Sequence, residues 1–486
     1  MERTLLPTKL SELYQRLPAD CELHADGETE VTGISCDSRT VRDGELFAAV
    51  PGAKEDGAEY IASAAENGAA CVLCEAPPPD GVPYILTQNV RRALALAACA
   101  FYGDGARRMT VIGVTGTNGK TTTTFLLKQL LESGGAKVGL IGTNQNMIGD
   151  EVLPASRTTP DAVTLQKLLR DMAEAGCRYA VMEVSSHALA QHRVDGIRFR
   201  IGVFTNLTQD HLDYHETMED YCAAKARLFR MCDTAIVNGD DPWCEKILAG
   251  SHCETVRFGR NFSNDIVGWK PKFSRERVHF TVCDDREQRE TSIGVPGEFS
   301  LYNALGALAC ARELGMPLRR AAQELARCHG VKGRAEVVPT GKDFTVLIDY
   351  AHTPDGLANI LSAVNGFADD RVIAVFGCGG DRDRSKRTEM GRIAAAMSDL
   401  AVLTSDNPRT EDPYAILRDV LAGILPARTP FAVIEDRREA IAYALRKAQK
   451  GDVVLLAGKG HETYQIVGER TLPLDEREVV RNCLNL

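Results

Sequence analysis

A glycine-rich loop at residues 113–121, with the sequence GVTGTNGKT, limits the folds that this chain can adopt. A short β-branched run at residues 109–114 leads into the loop, and a helical pattern at residues 120–132 follows it. Glycines let backbone N–H groups approach phosphate oxygens, and the helix N-terminus adds partial positive charge. Lys120 can reach the β- and γ-phosphates, and the Thr121 hydroxyl can ligate Mg²⁺. Strand, loop and helix in this order predict a nucleotide-binding α/β fold.

The loop departs from the strict phosphate-loop pattern at one position. That pattern has a glycine five positions before Gly119, and Val114 stands there. The spacing is instead G-x-x-G-x-x-G-K-T. A plain glycine-rich turn before a helix is the alternative, but the coincidence of strand, Gly-Lys-Thr and helix favours phosphate binding.

The chain of 486 residues has the length of about three domains. We predict them at residues 1–105, 106–333 and 334–486. The second and third alternate apolar runs with helical patterns, which predicts mostly parallel sheets covered on both faces, the third of doubly wound type. The runs lie at 31–35, 46–50 and 70–74 in the first segment, at 138–141, 179–184 and 201–205 in the second, and at 345–349, 372–376, 400–404, 431–434 and 453–457 in the third.

Composition excludes several classes of protein. There are 57 Lys and Arg against 67 Asp and Glu, and this net charge of −10 argues against a nucleic-acid partner. The best apolar stretch, residues 93–102, is too short to span a membrane. Residues 1–17 carry charges throughout and no apolar signal core. The 15 cysteines are odd in number and scattered, which is typical of a reducing compartment. We expect a cytoplasmic monomer.

The variant loop resembles that of the Mur ligases, the ATP-dependent amide-forming enzymes of peptidoglycan precursor synthesis. The resemblance covers nearly the whole chain and implies a three-domain architecture, with a central P-loop ATPase-like parallel sheet and a C-terminal Rossmann-like domain. Further motifs follow in the family's order: DSR at 37–39, MEVSSH at 182–187, TNLTQDHLD at 205–213, DYAHTP at 349–354, DNPR at 406–409 and GKGHE at 458–462.

The family's reaction has two steps. ATP phosphorylates a carboxylate of a D-glutamyl residue to give an acyl phosphate, and the amine of an incoming diamino acid then displaces phosphate. The resemblance implies ATP and Mg²⁺ as cofactors. It assigns ATP binding to Gly116, Thr117, Asn118, Gly119, Lys120, Thr121, Thr122, Asn303, Arg334 and Asp349.

Two residues are candidates for Mg²⁺ in addition to Thr121. Glu183 ends the apolar run at 179–184, where a carboxylate points into the ligand crevice of an α/β sheet and suits Mg²⁺. His211 lies in HLDYH, which invites a zinc interpretation, although no Cys or His set completes a tetrahedral site. The resemblance assigns Glu183 to the Mg²⁺ beside ATP and His211 to a second Mg²⁺. For His215 we expect a surface or capping histidine.

Lys225 lies in a helical pattern at residues 221–231, and periodicity alone would make it a solvated lysine. The resemblance instead implies an N-carboxylysine. Its anionic head would bind the second Mg²⁺, so that two cations neutralise the γ-phosphate and the acceptor carboxylate. The expected catalytic residues are Lys120, Glu183, His211 and Lys225.

The resemblance also assigns the two substrates. The UDP-N-acetylmuramoyl dipeptide is expected at Ser38, Thr158, Thr159, Ser185, Gln191 and Arg193, where Arg193 supplies a cation for a carboxylate or pyrophosphate. The motif DNPR resembles that of diaminopimelate-adding members. The amino-acid site is expected at Arg382, Asp406, Asn407, Pro408, Arg409, Gly458 and Glu462.

The choice of amino acid depends on Arg409. Its guanidinium can pair bidentately with the far carboxylate of meso-diaminopimelate, and lysine would leave it unpaired. Glu462 can receive the distal ammonium, and Gly458 leaves room for backbone contact. Three alternatives stay open: the same reaction with L-lysine, a folylpolyglutamate synthetase-like ligase, and a nucleotide-dependent switch that forms no bond. For the ligase, we expect an open form without ligands and closure with them.

Overall fold

The computed structural model describes residues 6–52 and 55–485, without the side chain of Asp213. Its first part is a five-stranded sheet of order β2-β7-β6-β5-β4, parallel except for β2. The strands of this sheet are β2 (Glu22–His24), β4 (Gly33–Ser35), β5 (Glu45–Ala48), β6 (Cys71–Cys74) and β7 (Tyr84–Leu86). Two further strands, β1 (Thr8–Lys9) and β3 (Glu30–Val31), form a separate pair. The helices of the first part are α1 (Leu10–Tyr14), α2 (Ile61–Glu66) and α3 (Val90–Phe101).

The strand predicted at residues 31–35 is wrong as a single element. It divides at Thr32 into β3, which pairs with β1, and β4, which pairs with β5 in the larger sheet. Alanine-rich α3 packs on that sheet because small side chains fill its buried face, and the Asn89 side chain caps it by accepting from the Arg92 N–H.

The second part is built on an eleven-stranded sheet of order β11-β10-β9-β12-β8-β13-β14-β15-β16-β17-β18. Its strands are β8 (Thr110–Thr115), β9 (Val138–Ile141), β10 (Asn146–Ile148), β11 (Glu151–Leu153), β12 (Tyr179–Glu183), β13 (Phe199–Phe204), β14 (Cys232–Asn238), β15 (Glu254–Gly259), β16 (Ile266–Phe273), β17 (Val278–Cys283) and β18 (Gln288–Ile293). Its helices are α4 (Lys120–Ser133), α5 (Ala162–Glu174), α6 (Ser186–Ala190), α7 (Leu212–His215), α8 (Met218–Ala226), α9 (Cys244–Leu248), α10 (Glu298–Glu313) and α11 (Leu318–Leu325).

The prediction of a mostly parallel sheet holds for the middle of this sheet and misses both edges. Seven strands in the middle are parallel to one another: β9, β12, β8, β13, β14, β15 and β16. An antiparallel hairpin is added at each edge, β10–β11 at one and β17–β18 at the other. These edge strands were not predicted because they do not form continuous apolar runs: β17 alternates buried with more exposed residues, and β10, β11 and β18 are three to six residues long and partly exposed. The phosphate-loop strand β8 lies between β12 and β13, near the middle of the sheet.

The third part has a six-stranded sheet of order β19-β20-β24-β21-β22-β23, parallel except for β19, with apolar cores on both faces. Its strands are β19 (Glu336–Val338), β20 (Thr345–Asp349), β21 (Val372–Phe376), β22 (Leu400–Leu403), β23 (Phe431–Val433) and β24 (Val453–Ala457), followed by the hairpin β25 (Tyr464–Val467) and β26 (Arg470–Pro473). Its helices are α12 (Pro354–Asn365), α13 (Ser385–Met397), α14 (Pro413–Ile424), α15 (Arg437–Lys447) and α16 (Glu476–Leu484).

This sheet agrees with the doubly wound prediction. The exact domain limits at 105/106 and 333/334 stay predictions. In the part of the chain that the structure describes, no helix is long and apolar enough to cross a membrane.

Candidate active site

The glycine-rich loop connects β8 to α4 in a conformation that requires two of its glycines. Gly116 has φ 149° and Gly119 has φ 86°. A Cβ at Gly116 would lie 1.9 Å from Thr205 Oγ1, and a Cβ at Gly119 would lie 2.2 Å from Asn303 Oδ1. The loop is therefore packed against β13 and α10, and its backbone N–H groups precede the helix N-terminus, as a phosphate site requires.

Two lysines converge on one carbonyl of this loop. Lys120 Nζ donates to Gly116 O and Thr117 O, both at 2.9 Å, and Lys225 Nζ donates to the same Gly116 O at 2.9 Å. Lys225 is fully buried, and its Nζ lies 4.3 Å from the centre of the Tyr221 ring. Burial, followed by the charge of Lys120, holds the pKa of Lys225 well below its usual value. Burial also lowers the pKa of Lys120, although Glu183 opposes this effect.

Glu183 lies at the C-terminal end of β12, fully buried. Its Oε1 accepts from the Thr143 N–H at 2.9 Å, and its Oε2 is 3.0 Å from Thr143 Oγ1, which also lies 3.0 Å from Thr158 Oγ1. Thr143 therefore fixes this carboxylate at the crevice of the sheet. Thr121 Oγ1, on the first turn of α4, accepts from Arg334 Nη2 at 3.3 Å.

Residues of the third part reach this loop. Asp349 accepts from the Ala335 and Ala351 N–H groups, at 2.7 and 2.8 Å, and burial raises its pKa against the opposing charge of Arg334. Asp355 at the start of α12 accepts from Asn118 Nδ2 at 2.8 Å and from Thr208 Oγ1 at 2.7 Å.

Two rings lie beside the half-exposed side chain of His211. Its ring centre is 4.8 Å from that of His187 and 6.2 Å from that of Tyr221. Partial burial is the main cause that lowers the pKa of His211 to about 4, so the imidazole is neutral at pH 7. The expectation for His215 is wrong: its side chain is buried, lies 2.9 Å from Ser186 Oγ and packs beside Tyr221. The described residues contain no group of three His, Cys, Asp or Glu side chains that could hold a metal ion by themselves.

The residues expected for the muramoyl dipeptide form a hydrogen-bonded group at the ends of β12 and α6. Thr159 Oγ1 donates to Glu183 O at 2.9 Å and accepts from the Ser185 N–H at 3.0 Å. Arg193 donates to Thr159 O at 3.0 Å and to Gln191 Oε1 at 2.6 Å. Burial, and then the charge of Arg157, lowers the pKa of Arg193.

A cavity of about 1140 Å³ separates the second part from the third. From the second part it is lined by His187 and His211, among others, and from the third by Asp406, Asn407, Arg409, Gly458, Glu462 and Arg382. Arg409 has φ 52°, and its Nη1 donates to Gly380 O at 2.7 Å. Gly458 is required beside Asp406, because a Cβ there would lie 2.6 Å from Asp406 Oδ2.

Comparison with known proteins identifies all three parts of the chain. Family models match at residues 30–102 (Mur ligase family, catalytic domain), 114–311 (Mur ligase middle domain) and 333–460 (Mur ligase, glutamate ligase domain). The UDP-N-acetylmuramoyl-L-alanyl-D-glutamate–2,6-diaminopimelate ligase of Caldanaerobacter subterraneus subsp. tengcongensis is 47% identical over 466 residues, which are 95% of this chain and 96% of that protein. The ligase of the same name from Geobacillus thermodenitrificans is 43% identical and covers 97% and 98%.

The chain belongs to the Mur ligase family. A solved structure titled as a UDP-N-acetylmuramoyl-L-alanyl-D-glutamate–2,6-diaminopimelate ligase agrees with this Mur ligase at a TM-score of 0.71, with 31% identity over 99% of each chain. The family, the three-domain α/β fold and the use of ATP in an amide-forming ligase, as predicted from the sequence, are thereby confirmed.

A folylpolyglutamate synthase from Mycobacterium tuberculosis, solved with ADP and AMPPCP, has a TM-score of 0.64 at 16% identity and covers 81% of this chain and 95% of its own. At that identity the likeness shows a shared fold alone.

The structure brings most predicted residues of this Mur ligase into two neighbouring groups, one at the phosphate loop and one around the cavity. Thr122 is buried on the first turn of α4. Pro408 lies in the loop of residues 404–412 between β22 and α14, which we name the acceptor loop. Ser38 is buried in the first part, where its carbonyl accepts from Asn67 Nδ2 at 2.8 Å. Arg382 is exposed on its loop.

Sequence reasoning missed three polar residues of the site: Thr143, Asp355 and Lys459. Thr143 lies two residues after β9, and Lys459 directly follows Gly458 within the motif GKGHE, so both positions are marked in the sequence. Asp355 is visible only in the fold, because its partner Asn118 is 237 residues away.

Proposed function

We propose that this Mur ligase joins meso-diaminopimelate to the D-glutamyl residue of UDP-N-acetylmuramoyl-L-alanyl-D-glutamate, with ATP converted to ADP and phosphate. Relatives at 42–47% identity over at least 94% of the chain carry the name of this ligase. The observation that carries the proposal is the cavity in which Arg409 and Glu462 face His211. An acceptor amino acid held on the third part can there reach an activated carboxylate on the second.

The chain's own residues can perform the first step at the phosphate loop. Lys120, now bonded to loop carbonyls, would turn to the β- and γ-phosphates, and the loop N–H groups would hold the phosphate oxygens. Arg334 beside Thr121 supplies a cation from the third part, close to the reacting phosphate. The γ-phosphoryl group moves to a carboxylate oxygen of the D-glutamyl residue, and ADP leaves.

The donor set near the loop fits Mg²⁺. Thr121 and Glu183 offer hard oxygens, and a carbamate on Lys225 would add an anionic ligand beside His211. Bound there, Mg²⁺ would neutralise the charge of the γ-phosphate and the acceptor carboxylate.

The surroundings of Lys225 support its carbamylation. Two ammonium groups sharing the carbonyl of Gly116 would repel each other, so the structure favours a neutral Lys225 amine. A neutral amine is the form that attacks CO₂: its nitrogen forms the new N–C bond and releases one proton. The resulting carbamate on Lys225 is negatively charged, so it would attract the Lys120 ammonium, which an ammonium on Lys225 would repel.

The second step needs the amine of the diamino acid in the cavity. Arg409 would pair with the far carboxylate and Glu462 with the distal ammonium, which leaves the near amine to attack the acyl phosphate. Phosphate then leaves through a tetrahedral intermediate, and an amide remains. Asn303 and Asp349 would help to enclose the nucleotide. The UDP substrate would be held by Ser38, Thr158, Thr159, Ser185, Gln191 and Arg193.

Product formation tests the proposal. The purified enzyme, ATP, Mg²⁺ and UDP-N-acetylmuramoyl-L-alanyl-D-glutamate are incubated with meso-diaminopimelate, L-lysine or no amine, and phosphate release and product mass are measured. We expect a tripeptide product only with diaminopimelate. A product with lysine would overturn the substrate assignment, and ATP binding without any amide product would favour the switch alternative.

We further propose that the enzyme acts as a monomer in the cytoplasm, without a nucleic-acid partner. Light scattering in solution tests the oligomeric state: a mass near 52.9 kDa is expected, and about twice that value would contradict it.

A further inference from the structure

A fully buried lysine, Lys459, lies beneath the acceptor loop, just after β24. Its Nζ is 2.5 Å from Asn407 Oδ1, 2.7 Å from Tyr464 O and 3.1 Å from Glu462 Oε2, and Asp406 Oδ1 is 3.9 Å away. A buried ammonium is costly unless its protons are bonded, and three oxygens are placed to receive its three protons. The charge of Lys459 is therefore satisfied mainly by residues of the acceptor site.

Lys459 joins two loops that the sheet keeps apart. The acceptor loop follows β22, whereas Lys459 follows β24, and β21 lies between these strands. The acceptor loop can approach the end of β21 because Gly377 directly follows that strand: a Cβ at Gly377 would lie 2.2 Å from Thr404 O. The hairpin β25–β26 completes the connection, since the Ile466 N–H donates to the same Asn407 Oδ1 at 3.0 Å.

The contacts of Lys459 fix how neighbouring groups face the cavity. Two donors on Asn407 Oδ1 set the orientation of its amide, so that Nδ2 donates to Glu462 Oε2 at 3.0 Å. Glu462 Oε2 thus receives both Lys459 and Asn407. Its other oxygen, Oε1, makes no hydrogen bond within the described residues 6–52 and 55–485, and Glu462 lines the cavity. That oxygen is available to an ammonium group of the ligand.

The charge of Lys459 also sets the electrostatics of the site. Asp406 and Glu462 are two carboxylates within reach of one ammonium. Without Lys459 they would repel each other, and the acceptor loop would have to move or take up a proton or cation. Lys459 offsets one of these two carboxylate charges, and the other remains for the distal ammonium of the diamino acid.

We propose that Lys459 is the positioning residue of the acceptor site: it orients Asn407 and Glu462 for the incoming diamino acid without contacting the reacting atoms. This rests on the acceptor assignment proposed above. It predicts that Lys459 acts on the affinity for the diamino acid and leaves the nucleotide and UDP-substrate sites unchanged.

The test is steady-state kinetics of Lys459→Met and Lys459→Gln in the full chain. For Lys459→Met we expect the KM for meso-diaminopimelate to rise about 10- to 100-fold, since a charged hydrogen-bond network is lost. The KM values for ATP and the UDP substrate should stay within about 2-fold, and kcat within about 3-fold. Lys459→Gln retains a side-chain donor toward Asn407 and should recover part of the loss.

Asp452→Asn is the matched control. Asp452 is equally buried, pairs with Arg371 at 2.6 Å and lies at the opposite end of β24. This variant should lose thermal stability and keep the KM for diaminopimelate. An unchanged KM for diaminopimelate in folded Lys459→Met would overturn the proposal, as would a parallel rise of all three KM values or failure of both Lys459 variants to fold. If the wild-type enzyme makes no product with diaminopimelate, the proposed function fails instead.

Discussion

At the scale of single residues, the site depends on where charges are buried. Lys128 and Lys225 are both buried lysines of the second part, but they differ in their partners. Lys128 is paired with Glu132, whereas the Nζ of Lys225 contacts a carbonyl and an aromatic ring. Of these two lysines, Lys225 is therefore the one whose environment favours a neutral, reactive amine.

This contrast predicts the outcome of carbon labelling. After incubation with ¹³C-bicarbonate, the wild-type enzyme should show a carbamate ¹³C resonance that is absent from Lys225→Ala and present in Lys128→Ala. Lys225→Ala should also lose about 100-fold or more in kcat, because an anionic ligand close to the transferred phosphate is missing. A resonance that persists in Lys225→Ala, or near-normal turnover of that variant, would remove Lys225 from the mechanism.

Arg409 carries the prediction of substrate choice. Within residues 6–52 and 55–485, the only side-chain hydrogen bonds of Arg409 are donated by Nη1. Its Nε and Nη2 groups are therefore available to a carboxylate of the ligand. Arg409→Met should raise the KM for diaminopimelate about 10- to 100-fold. It should also reduce the ratio of kcat/KM for diaminopimelate to kcat/KM for L-lysine. Arg392→Met, which removes an arginine that lines the same cavity and pairs with Glu389, is the control and should leave the preference intact. An unchanged preference in Arg409→Met would assign selection to another residue.

At the scale of elements, buried strands were the most predictable part of the fold. The runs at 345–349, 372–376 and 453–457 agree with β20, β21 and β24 because these strands are apolar through most or all of their length. The hairpin β17–β18 could not be predicted in this way, since its outward face is polar.

In the site, too, some features could be predicted from the sequence and others could not. Glu183 and Asp349 could be predicted because each stands at the end of an apolar run, and the phosphate and acceptor loops could be predicted from their motifs. The hydrogen bond from Lys459 to Asn407 joins residues 52 positions apart and follows only from the order of strands in the sheet. Local sequence thus predicts which residues stand at the edge of a sheet, but contacts between loops require the fold.

Helices α13 and α14 are tied by a buried arginine, and this tie has a defined pH dependence. Arg387 donates to Glu411 at 2.8 Å and to Asp419 at 2.9 Å, and it lowers the pKa of Glu411 from 4.5 to about 2. A depressed carboxyl pKa stabilises the fold above about 4.5, and this contribution disappears as the pH falls toward 2.

Glu411→Gln should therefore be less stable than the wild type at pH 7, with a difference that shrinks between about pH 4.5 and 2. Urea unfolding across this range measures the difference. Glu389→Gln, which alters an exposed pair on α13, is the control and should show a smaller effect at pH 7. A difference between wild type and Glu411→Gln that is constant with pH would contradict the assigned role of Glu411.

At the scale of the whole molecule, chemistry requires the second and third parts to meet. Asp355 already links α12 to the phosphate loop, and the cavity still lies between His211 and the acceptor loop. Closure on ligand binding stays a prediction. X-ray scattering with an ATP analogue and the UDP substrate should show compaction of the wild-type enzyme.

Asp355→Ala should show less compaction and a higher KM for ATP, because the loop loses its partner on the third part. Asp436→Ala, which removes the N-cap of α15, is the control and should compact normally. Equal scattering curves with and without ligands in the wild type would argue against closure.

In the proposed reaction, ATP activates a carboxylate of the UDP substrate before the amine attacks. Oxygen tracing tests it most directly: the D-glutamyl carboxylates are labelled with ¹⁸O, and the released phosphate is analysed by mass after reaction with ATP and meso-diaminopimelate. An acyl phosphate predicts one ¹⁸O atom in each phosphate, together with the tripeptide product. Unlabelled phosphate accompanying that product would exclude an acyl phosphate formed on the substrate carboxylate.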